Sequence, residues 1–273
     1  MPIRKPAVAG RFYPEHAPTL RRTIERHLAE ATSEPAPDAV QAIIAPHAGY
    51  PYSGLTAAHA FKRLYGKAVR RVILLGCSHH HQFEGPSIFS KGAYETPLGV
   101  VPVDEELAGA LVSDFGSTCS QAHSGEHSLE VQLPFLQMVL QGEFQLVPIL
   151  FGAAPSEFHQ RFGAALADYL TPEDLVLAST DLSHFLPESQ ANAMDKRSLN
   201  QVLKRDASAL QNKAAAGRCS LCGVTAVVTA MAYANATNTT QWQLLDYRTS
   251  AWASGDTRRV VGYGAITMER QVA

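Results

Sequence analysis

Four nearly unbroken apolar segments constrain the fold of this 273-residue chain more than any other feature of its sequence. A strand with one solvated face alternates apolar and polar residues, whereas a strand in a parallel sheet is apolar throughout because helices cover both faces. The four segments have the second pattern and span residues 39–45, 69–76, 144–152 and 175–180. They predict the central strands of a mostly parallel sheet that is buried between two layers of helices.

Segments with helical periodicity alternate with these strands along the chain. Their apolar residues recur at intervals of three or four, and they span residues 19–31, 55–65, 105–115, 126–140, 158–170 and 189–236. Pro134 lies inside the fourth segment and is expected to bend it. Two alternating segments, 242–250 and 260–268, predict further strands near the end of the chain. These patterns therefore predict that residues 1–273 form a single three-layer α/β domain, with a mostly parallel central sheet and helices on both faces.

Composition and charge exclude several classes of partner. The 23 Lys and Arg residues are balanced by 25 Asp and Glu residues, so the chain lacks the basic field that holds a nucleic-acid backbone. The N-terminus has no apolar signal region and no apolar run is long enough to span a bilayer, which predicts no association with membranes. Four scattered cysteines in a chain of this size are typical of reduced thiols, and therefore of a cytoplasmic location.

Three of the predicted central strands are followed directly by a loop with a histidine: His47, His79 and His184. The ligand crevice of an open parallel sheet lies outside the carboxyl ends of its strands, so these loops are expected to meet. One histidine in such a loop is typically bonded to the backbone, whereas three at strand ends favour coordination of a metal ion. His80 and His81 are weaker candidates, because only one ring of the triplet is expected to point inward.

His127 has a different setting, because it lies in the first turn of the helical segment 126–140. Ser124 is the candidate cap of that helix. The positive end of a helix lowers the pKa of a histidine, which suits a general base; the alternative is an ordinary polar residue of a first turn. Glu126 is a candidate to orient a histidine by a hydrogen bond, and Glu130 is predicted to lie on the surface.

Cys222 is a candidate soft metal ligand, since it precedes an apolar helical segment whose start favours a thiolate. Cys219 forms a C-x-x-C pair with it, but no second pair completes a structural zinc site. Cys219 is therefore incidental, or else the two cysteines form a redox pair. Cys77 follows a buried strand and Cys119 is predicted to be packed, and neither is singled out.

The remaining histidines have the sequence surroundings of ordinary surface residues. Those on or beside amphipathic helices are predicted at the surface or at a rim: His16, His27, His59 and His159. His123 precedes a helix start and is predicted to be solvated.

A series of motifs in this chain resembles the signatures of the Memo family. The motifs are P-A-V-A-G-x-F-Y-P at 6–14, A-P-H-A-G-Y at 45–50, S-G at 53–54, G-C-S-H-H at 76–80, G-E-H-S-L-E-V-Q-L-P-F at 125–135, S-T-D-L-S-H at 179–184, C-G at 222–223 and L-D-Y-x-T-S at 245–250. The resemblance covers nearly the whole chain in the right order. One departure is Cys77, where proline is the usual residue of the family.

The resemblance implies the fold of the class III extradiol dioxygenases, which bind Fe(II) through two histidines and a carboxylate. Carried over motif by motif, it implies His47 and His79 as metal ligands, with Cys222 in the place of the carboxylate. A thiolate in that position softens the site toward iron or copper. Bacterial relatives of the family are commonly encoded beside a radical-SAM protein, which implies a functional link with such a protein.

For turnover, the resemblance implies His127 and His184 as an acid/base pair that faces a small-molecule substrate, with Asp181 nearby. Three functions from different classes follow. The first is a non-haem iron or copper oxygenase or redox enzyme acting on a small aromatic or catechol-like substrate. The second is a zinc hydrolase, although H-E-x-x-H is absent, and the third is a metal-binding or scaffold protein without catalysis. Fe(II) is the expected metal, with copper and zinc as the alternatives.

Overall fold

The four apolar segments form the centre of one sheet, as their composition predicts. The computed structural model describes residues 2–36, 38–117, 119–154 and 156–271, and in these ranges no helix is long and apolar enough to cross a bilayer. The strands are β1 (Ile3–Arg4), β2 (Val40–Ala45), β3 (Arg71–Cys77), β4 (Pro86–Ile88), β5 (Ala93–Thr96), β6 (Gly99–Pro102), β7 (Gln145–Phe151), β8 (Asp174–Ser179), β9 (His184–Leu186), β10 (Gln241–Thr249) and β11 (Val260–Glu269). The helices are α1 (Ala17–Glu30), α2 (Tyr50–Arg63), α3 (Glu105–Phe115), α4 (His127–Glu130), α5 (Leu133–Val139), α6 (Ser156–Tyr169), α7 (Glu188–Leu203), α8 (Ala207–Ala215), α9 (Val224–Ala236) and α10 (Ala251–Ser254), with a 3-10 helix at Ser120–His123.

The main sheet has four parallel strands at its centre and antiparallel strands at its edges. Its order is β10-β11-β2-β8-β3-β7-β4, and β9 pairs with β11 beside this path. The strands β2, β8, β3 and β7 run parallel, while β11 is antiparallel to β2 and β4 is antiparallel to β7. The sheet is therefore mixed, and its parallel part places the carboxyl ends of β2, β8 and β3 side by side.

Alternate side chains of the central strands pack into two separate cores, one on each face of the sheet. In β3, Val72 and Leu74 belong to the core that includes α1, α2 and α5, whereas Ile73 and Leu75 belong to the core that includes α6 and α9. All four side chains are fully buried, and burial of each contributes about 1.5–3 kcal/mol. A strand buried on both faces needs an apolar residue at every position, so the predicted three-layer α/β class is confirmed.

Two of the predicted helical segments are interrupted in the structure. The segment 126–140 divides into α4 and α5 just before Pro134, which lies in the first turn of α5. Proline is tolerated there because the first N–H groups of a helix have no partner within it. The segment 189–236 divides into α7, α8 and α9, and Asp206 caps α8 by accepting a hydrogen bond from Ala209 N at 2.8 Å.

Glu130 anchors the N-terminal segment to α4 and is fully buried, so the prediction of a surface position is wrong. Its carboxylate pairs with the Arg4 guanidinium and accepts hydrogen bonds from Ala7 N (2.7 Å), Val8 N (3.0 Å) and Tyr13 OH (2.6 Å). The same segment supplies β1 to a second sheet of order β1-β5-β6. A helical pattern cannot reveal that a distant segment of chain covers one face of the helix.

Four of the histidines that were predicted to be exposed or solvated are buried. His27, His59, His123 and His159 are each at most 5% exposed, whereas His16 is exposed as expected. Burial lowers the pKa of all four, so their rings are neutral near pH 7. The amphipathic pattern counts histidine as polar, but a neutral imidazole packs between helices much as an apolar ring does. The surface predictions for these four residues are therefore wrong.

Candidate metal centre

The loops that follow β2, β3 and β8 form the candidate metal centre. His47 lies two residues after β2 and His79 two residues after β3, and their ring centroids are 5.2 Å apart. Asp181 lies two residues after β8, and Cys222 reaches the same edge just before α9. The structure thus brings together the three side chains that the resemblance implies as metal ligands. Their role as ligands stays a prediction.

Four donor atoms lie close together at this edge of the sheet. His47, Cys77, His79 and Cys222 each offer one, and these atoms all lie within 4.8 Å of one another. The Sγ of Cys222 is 3.2 Å from Nε2 of His47, and the Sγ of Cys77 is 3.8 Å from Nε2 of His79. Within the part of the chain that the structure describes, Cys219 is not in this group. Cys77 was not predicted as a metal ligand from the sequence, but the structure places its sulfur among these four donors.

The hydrogen bonds of Ser179 determine which nitrogen of His47 faces the other donors. The Ser179 hydroxyl donates its one hydrogen to Ser128 O (2.6 Å) and accepts a hydrogen bond from Gln132 Nε2 (2.8 Å). Its contact with His47 Nδ1 (2.9 Å) is therefore one in which the ring nitrogen donates. Because Nδ1 of His47 carries a hydrogen, Nε2 is the nitrogen that faces the Cys222 sulfur and is available to bind an ion.

Glu126 orients His79 in the same way. Its Oε1 accepts a hydrogen bond from His79 Nδ1 (2.8 Å) and its Oε2 accepts one from His79 N (2.6 Å). Burial by itself would raise the pKa of Glu126, but the hydrogen bonds from His79 lower it to about 2, so the group is a carboxylate. A carboxylate cannot donate, so Nδ1 of His79 carries the hydrogen and Nε2 faces the cluster. The expectation that Glu126 orients a histidine is confirmed by these contacts.

The surroundings of the two imidazoles favour their protonated forms. Burial lowers the pKa of His47, but the negative charges of Cys222 and Asp181 more than offset this and raise it to about 9. Burial likewise opposes the charged form of His79, whose hydrogen bonds with Cys222 and Glu126 raise its pKa to about 10. Such protons occupy the positions that a metal cation would take, so binding of an ion would release them.

The two thiols divide into one acidic and one neutral sulfur. The hydrogen bond from the Cys77 thiol is the main reason that the pKa of Cys222 lies well below its ordinary value. Burial opposes this shift, and the charge of His47 adds to it. The same hydrogen bond, together with burial, raises the pKa of Cys77. These contacts therefore favour the thiolate form of Cys222 and the thiol form of Cys77.

A close approach of α9 to the end of β8 places Cys222 at the site. A Cβ on Gly223 would lie 2.4 Å from Ser179 O, so only glycine fits where these two backbones meet. Cys222 N then donates to Asp181 O (3.2 Å), and Asp181 N donates to the Cys222 sulfur (3.2 Å). The Asp181 carboxylate accepts a hydrogen bond from His47 N (2.8 Å), so one residue holds the loops of two proposed ligands.

His127 lies against the same cluster, with its ring centroid 5.4 Å from that of His47 and 4.4 Å from that of His79. Burial, together with the positive charge of His47, lowers its pKa to about 3 and leaves the ring neutral. The sequence predicted that the start of a long helix lowers the pKa of His127. The pKa is lowered, but the causes are burial and the charge of His47, because α4 has only four residues. The predicted cap is also wrong, because Glu126 rather than Ser124 caps α4.

His184 lies at the edge of the centre rather than among the donors. Its Nδ1 donates to Leu182 O (2.9 Å), and its ring contacts the neighbouring Phe185 with centroids 5.7 Å apart. It lines a cavity of about 650 Å³ beside Cys219 and Val224. In the described part of the chain neither group of clustered donors includes His184. The structure thus brings His127 to the cluster and leaves His184 at its rim, and their acid/base roles stay predictions.

A second group of donors, formed by His79, Glu126 and His127, lies beside the first. Its carboxylate oxygen Oε1 accepts hydrogen bonds from His79 Nδ1 and Ser128 N, both at 2.8 Å, and lies 3.4 Å from His127 Nδ1. This oxygen is already surrounded by hydrogen-bond donors. We therefore assign the carboxylate to orienting the two rings rather than to binding an ion.

Comparison with known proteins agrees with the arrangement of these loops. A family model described as Memo-like protein matches residues 4–267. The chain belongs to the Memo-like family. A MEMO1 family protein of Methanopyrus kandleri is 36% identical over 98% of this chain and 99% of its own length. A MEMO1 family protein of Aquifex aeolicus is 35% identical over 96% of this chain and 98% of its own length.

The motifs that resemble the Memo signatures surround the centre of this Memo-like protein. The segments 45–50, 76–80, 125–135, 179–184 and 222–223 contain every residue of the donor cluster and of the hydrogen bonds that orient its rings. Besides Cys77 of the donor cluster, the sequence reasoning missed two residues of the orienting hydrogen bonds, Ser179 and Gln132. The available signal was a polar residue at the end of a wholly apolar strand and another on the apolar face of a helix, both of which are fully or almost fully buried.

Replacement of Glu126 by Gln tests the orienting role in this Memo-like protein. The Gln amide nitrogen cannot accept the hydrogen bond from His79 N, and the negative charge beside Nδ1 is lost. We expect the metal affinity to fall by about 10- to 100-fold while the protein stays folded. Competition titration with a chromophoric chelator measures the affinity, and Glu143→Gln, at an exposed position, is the matched control. Equal affinity of Glu126→Gln and the natural protein would show that Glu126 does not orient a ligand.

Proposed function

We propose that this protein binds one transition-metal ion through Nε2 of His47, Nε2 of His79 and the Cys222 sulfur. We propose further that it uses the ion in oxygen-dependent or other redox chemistry on a small aromatic or catechol-like substrate. One observation supports the metal site. In both rings Nδ1 donates a hydrogen bond to a buried acceptor, and both Nε2 atoms face the sulfurs of Cys77 and Cys222. Histidine ligands in metal sites are typically held in this way by a hydrogen bond at the second nitrogen.

The donor set fits a borderline or soft transition metal. Imidazole suits iron, copper and zinc, and a thiolate shifts the preference further from hard ions such as Mg²⁺ and Ca²⁺. Fe(II) is the metal we propose, with copper and zinc as the alternatives. When bound, such an ion supplies Lewis-acid and redox chemistry to the site.

His127 is the residue that we propose to move a proton in turnover. Its ring lies beside those of His47 and His79, and its lowered pKa of about 3 keeps it neutral, with a lone pair on one ring nitrogen. Such a ring is a weak base, and once protonated it would be a strong general acid. Phe12 packs against the other side of the ring with centroids 4.9 Å apart and holds it in place. We propose that His184 contacts the substrate from the rim, with Asp181 nearby.

A second candidate function is metal binding without catalysis. Cys77 supports it, because a fourth protein donor beside the three proposed ligands leaves fewer positions for a substrate. The two candidates differ in one measurement. After anaerobic purification and loading with Fe(II), a redox enzyme consumes O2 when a catechol is added, whereas a metal-binding protein holds the ion and consumes none. Full iron loading without any O2 uptake across a panel of catechols would contradict the proposed oxygen chemistry.

Separate replacement of His127 and His184 by Ala tests the division between ligands and acid/base groups. We expect each variant to retain its metal content while turnover falls by about 100-fold or more, because the proton-transferring group is lost but the proposed metal shell is not. Metal analysis and O2 uptake are measured on the same samples. His16→Ala, at an exposed position, is the control and should change neither quantity. Loss of the metal from either variant would identify that histidine as a ligand.

A further inference from the structure

A second thiol lies at the candidate metal centre. Cys77 is the last residue of β3 and is 8% exposed, and its Sγ belongs to the group of four donor atoms that lie within 4.8 Å of one another. Its backbone is held on two sides, because it pairs with Phe151 of β7 and its carbonyl accepts a hydrogen bond from Ser128 Oγ (2.9 Å). The sulfur is therefore presented to the centre by the rigid part of the sheet.

The spacing of the four donors is close to that of a four-coordinate site. Around a tetrahedral ion with nitrogen ligands at 2.0–2.1 Å and sulfur ligands at 2.3 Å, neighbouring donors are about 3.3–3.8 Å apart. Cys222 Sγ is 3.2 Å from His47 Nε2, and Cys77 Sγ is 3.8 Å from His79 Nε2. The largest separation in the group is at most 4.8 Å, which is about 1 Å more than in such a site.

We propose that Cys77 is a fourth protein ligand, so that two imidazoles and two thiolates hold the ion. On binding, the Cys77 S–H bond breaks, a sulfur–metal bond forms and the proton leaves to solvent. This inference rests on the proposed metal site. It also determines how many coordination positions of the ion are left for O2 and substrate. A four-coordinate ion such as Zn²⁺ or Cu(I) is saturated by this shell, whereas six-coordinate Fe(II) keeps two positions for O2 and substrate.

The number of sulfur ligands is measurable without any activity. The full-length protein is loaded anaerobically with Zn²⁺ for X-ray absorption and with Co²⁺ for optical spectroscopy. We expect two sulfurs at about 2.3 Å from Zn²⁺ in the natural protein and one in Cys77→Ser. The sulfur-to-cobalt charge-transfer absorption should decrease in Cys77→Ser, because one thiolate fewer binds the metal. The affinity for Zn²⁺ should fall at least about tenfold.

Controls separate this inference from the proposed function. Cys219→Ser and Cys119→Ser remove cysteines outside the donor group and should keep two sulfurs on the metal. One sulfur in the natural protein, unchanged in Cys77→Ser, would overturn the fourth ligand and leave the three-ligand site standing. Absence of stoichiometric metal binding by the natural protein would overturn the proposed function itself. The sulfur count of the natural protein decides the question even if Cys77→Ser does not fold.

Discussion

Replacement of Cys222 by Ala should weaken the binding of a soft metal ion by more than about 100-fold, which exceeds the loss typical of an orienting residue. The Cys222 sulfur lies 3.2 Å from His47 Nε2, and as a thiolate it carries negative charge that attracts a cation to the site. Its removal leaves two imidazoles that hold their ring orientation through Ser179 and Glu126. Competition titration with Zn²⁺ and Fe(II) under anaerobic conditions measures the change.

Carboxylate replacements of Cys222 separate the loss of a donor from the loss of charge. Cys222→Asp and Cys222→Glu should recover part of the Fe(II) affinity but little of the affinity for soft ions, because oxygen donors suit harder metals. Cys219→Ala is the matched control, since Cys219 is a buried free cysteine outside the donor group. The competing interpretation is a redox pair of Cys219 and Cys222 with the metal held by histidines alone. An intramolecular disulfide between these two cysteines with unchanged metal content would favour that interpretation.

Replacement of Glu130 by Ala should lower the free energy of unfolding by about 3–5 kcal/mol, the typical result of removing one partner from a buried ion pair. The carboxylate is fully buried and serves four donors of the N-terminal segment, including the Arg4 guanidinium. Without it, Arg4 is left with an uncompensated charge in the interior. Denaturation in urea, followed by circular dichroism, measures the change.

The control for Glu130 is an ion pair made by the same N-terminal segment at the surface. Lys5 contacts Glu95 at 2.5 Å, but the Lys5 side chain is 71% exposed. Water screens such a pair, so Glu95→Ala should lower the free energy of unfolding by less than about 1 kcal/mol. If Glu130→Ala were as mild as Glu95→Ala, the buried network would not stabilise the N-terminal segment in the way described.

The six longest strands and the family could be predicted well because each depends on a local pattern, whereas the short strands β1, β4, β5, β6 and β9 were not predicted. A strand buried on both faces must be apolar at every position, and the predicted segments 39–45 and 175–180 match β2 and β8 to within one residue at each end. The order of the motifs predicted the Memo-like family, and the family model confirms it. Helix ends were less accurate, since the apolar periodicity continues through the break between α4 and α5 and so did not reveal it.

The candidate site could be predicted in part because parallel strands end at the same edge of a sheet. That rule alone predicted that the loops of His47 and His79 would meet, and the two rings do lie together. It predicted the same for His184, which the structure places at the rim instead, because its Nδ1 turns back to Leu182 O. A strand end determines where a loop begins, but local hydrogen bonds determine where its side chain points.

The sequence by itself determined the layers of this protein, the order of its six longest strands along the chain, and the edge of the sheet at which His47 and His79 meet. Only the tertiary structure decided that Glu130 and His123 are buried, that Ser179 and Glu126 orient the two rings, and that Cys77 stands beside Cys222. The physical reason is the range of each effect. Periodicity is a property of neighbouring residues, whereas the burial and protonation of a polar group depend on which distant segments of the chain pack around it.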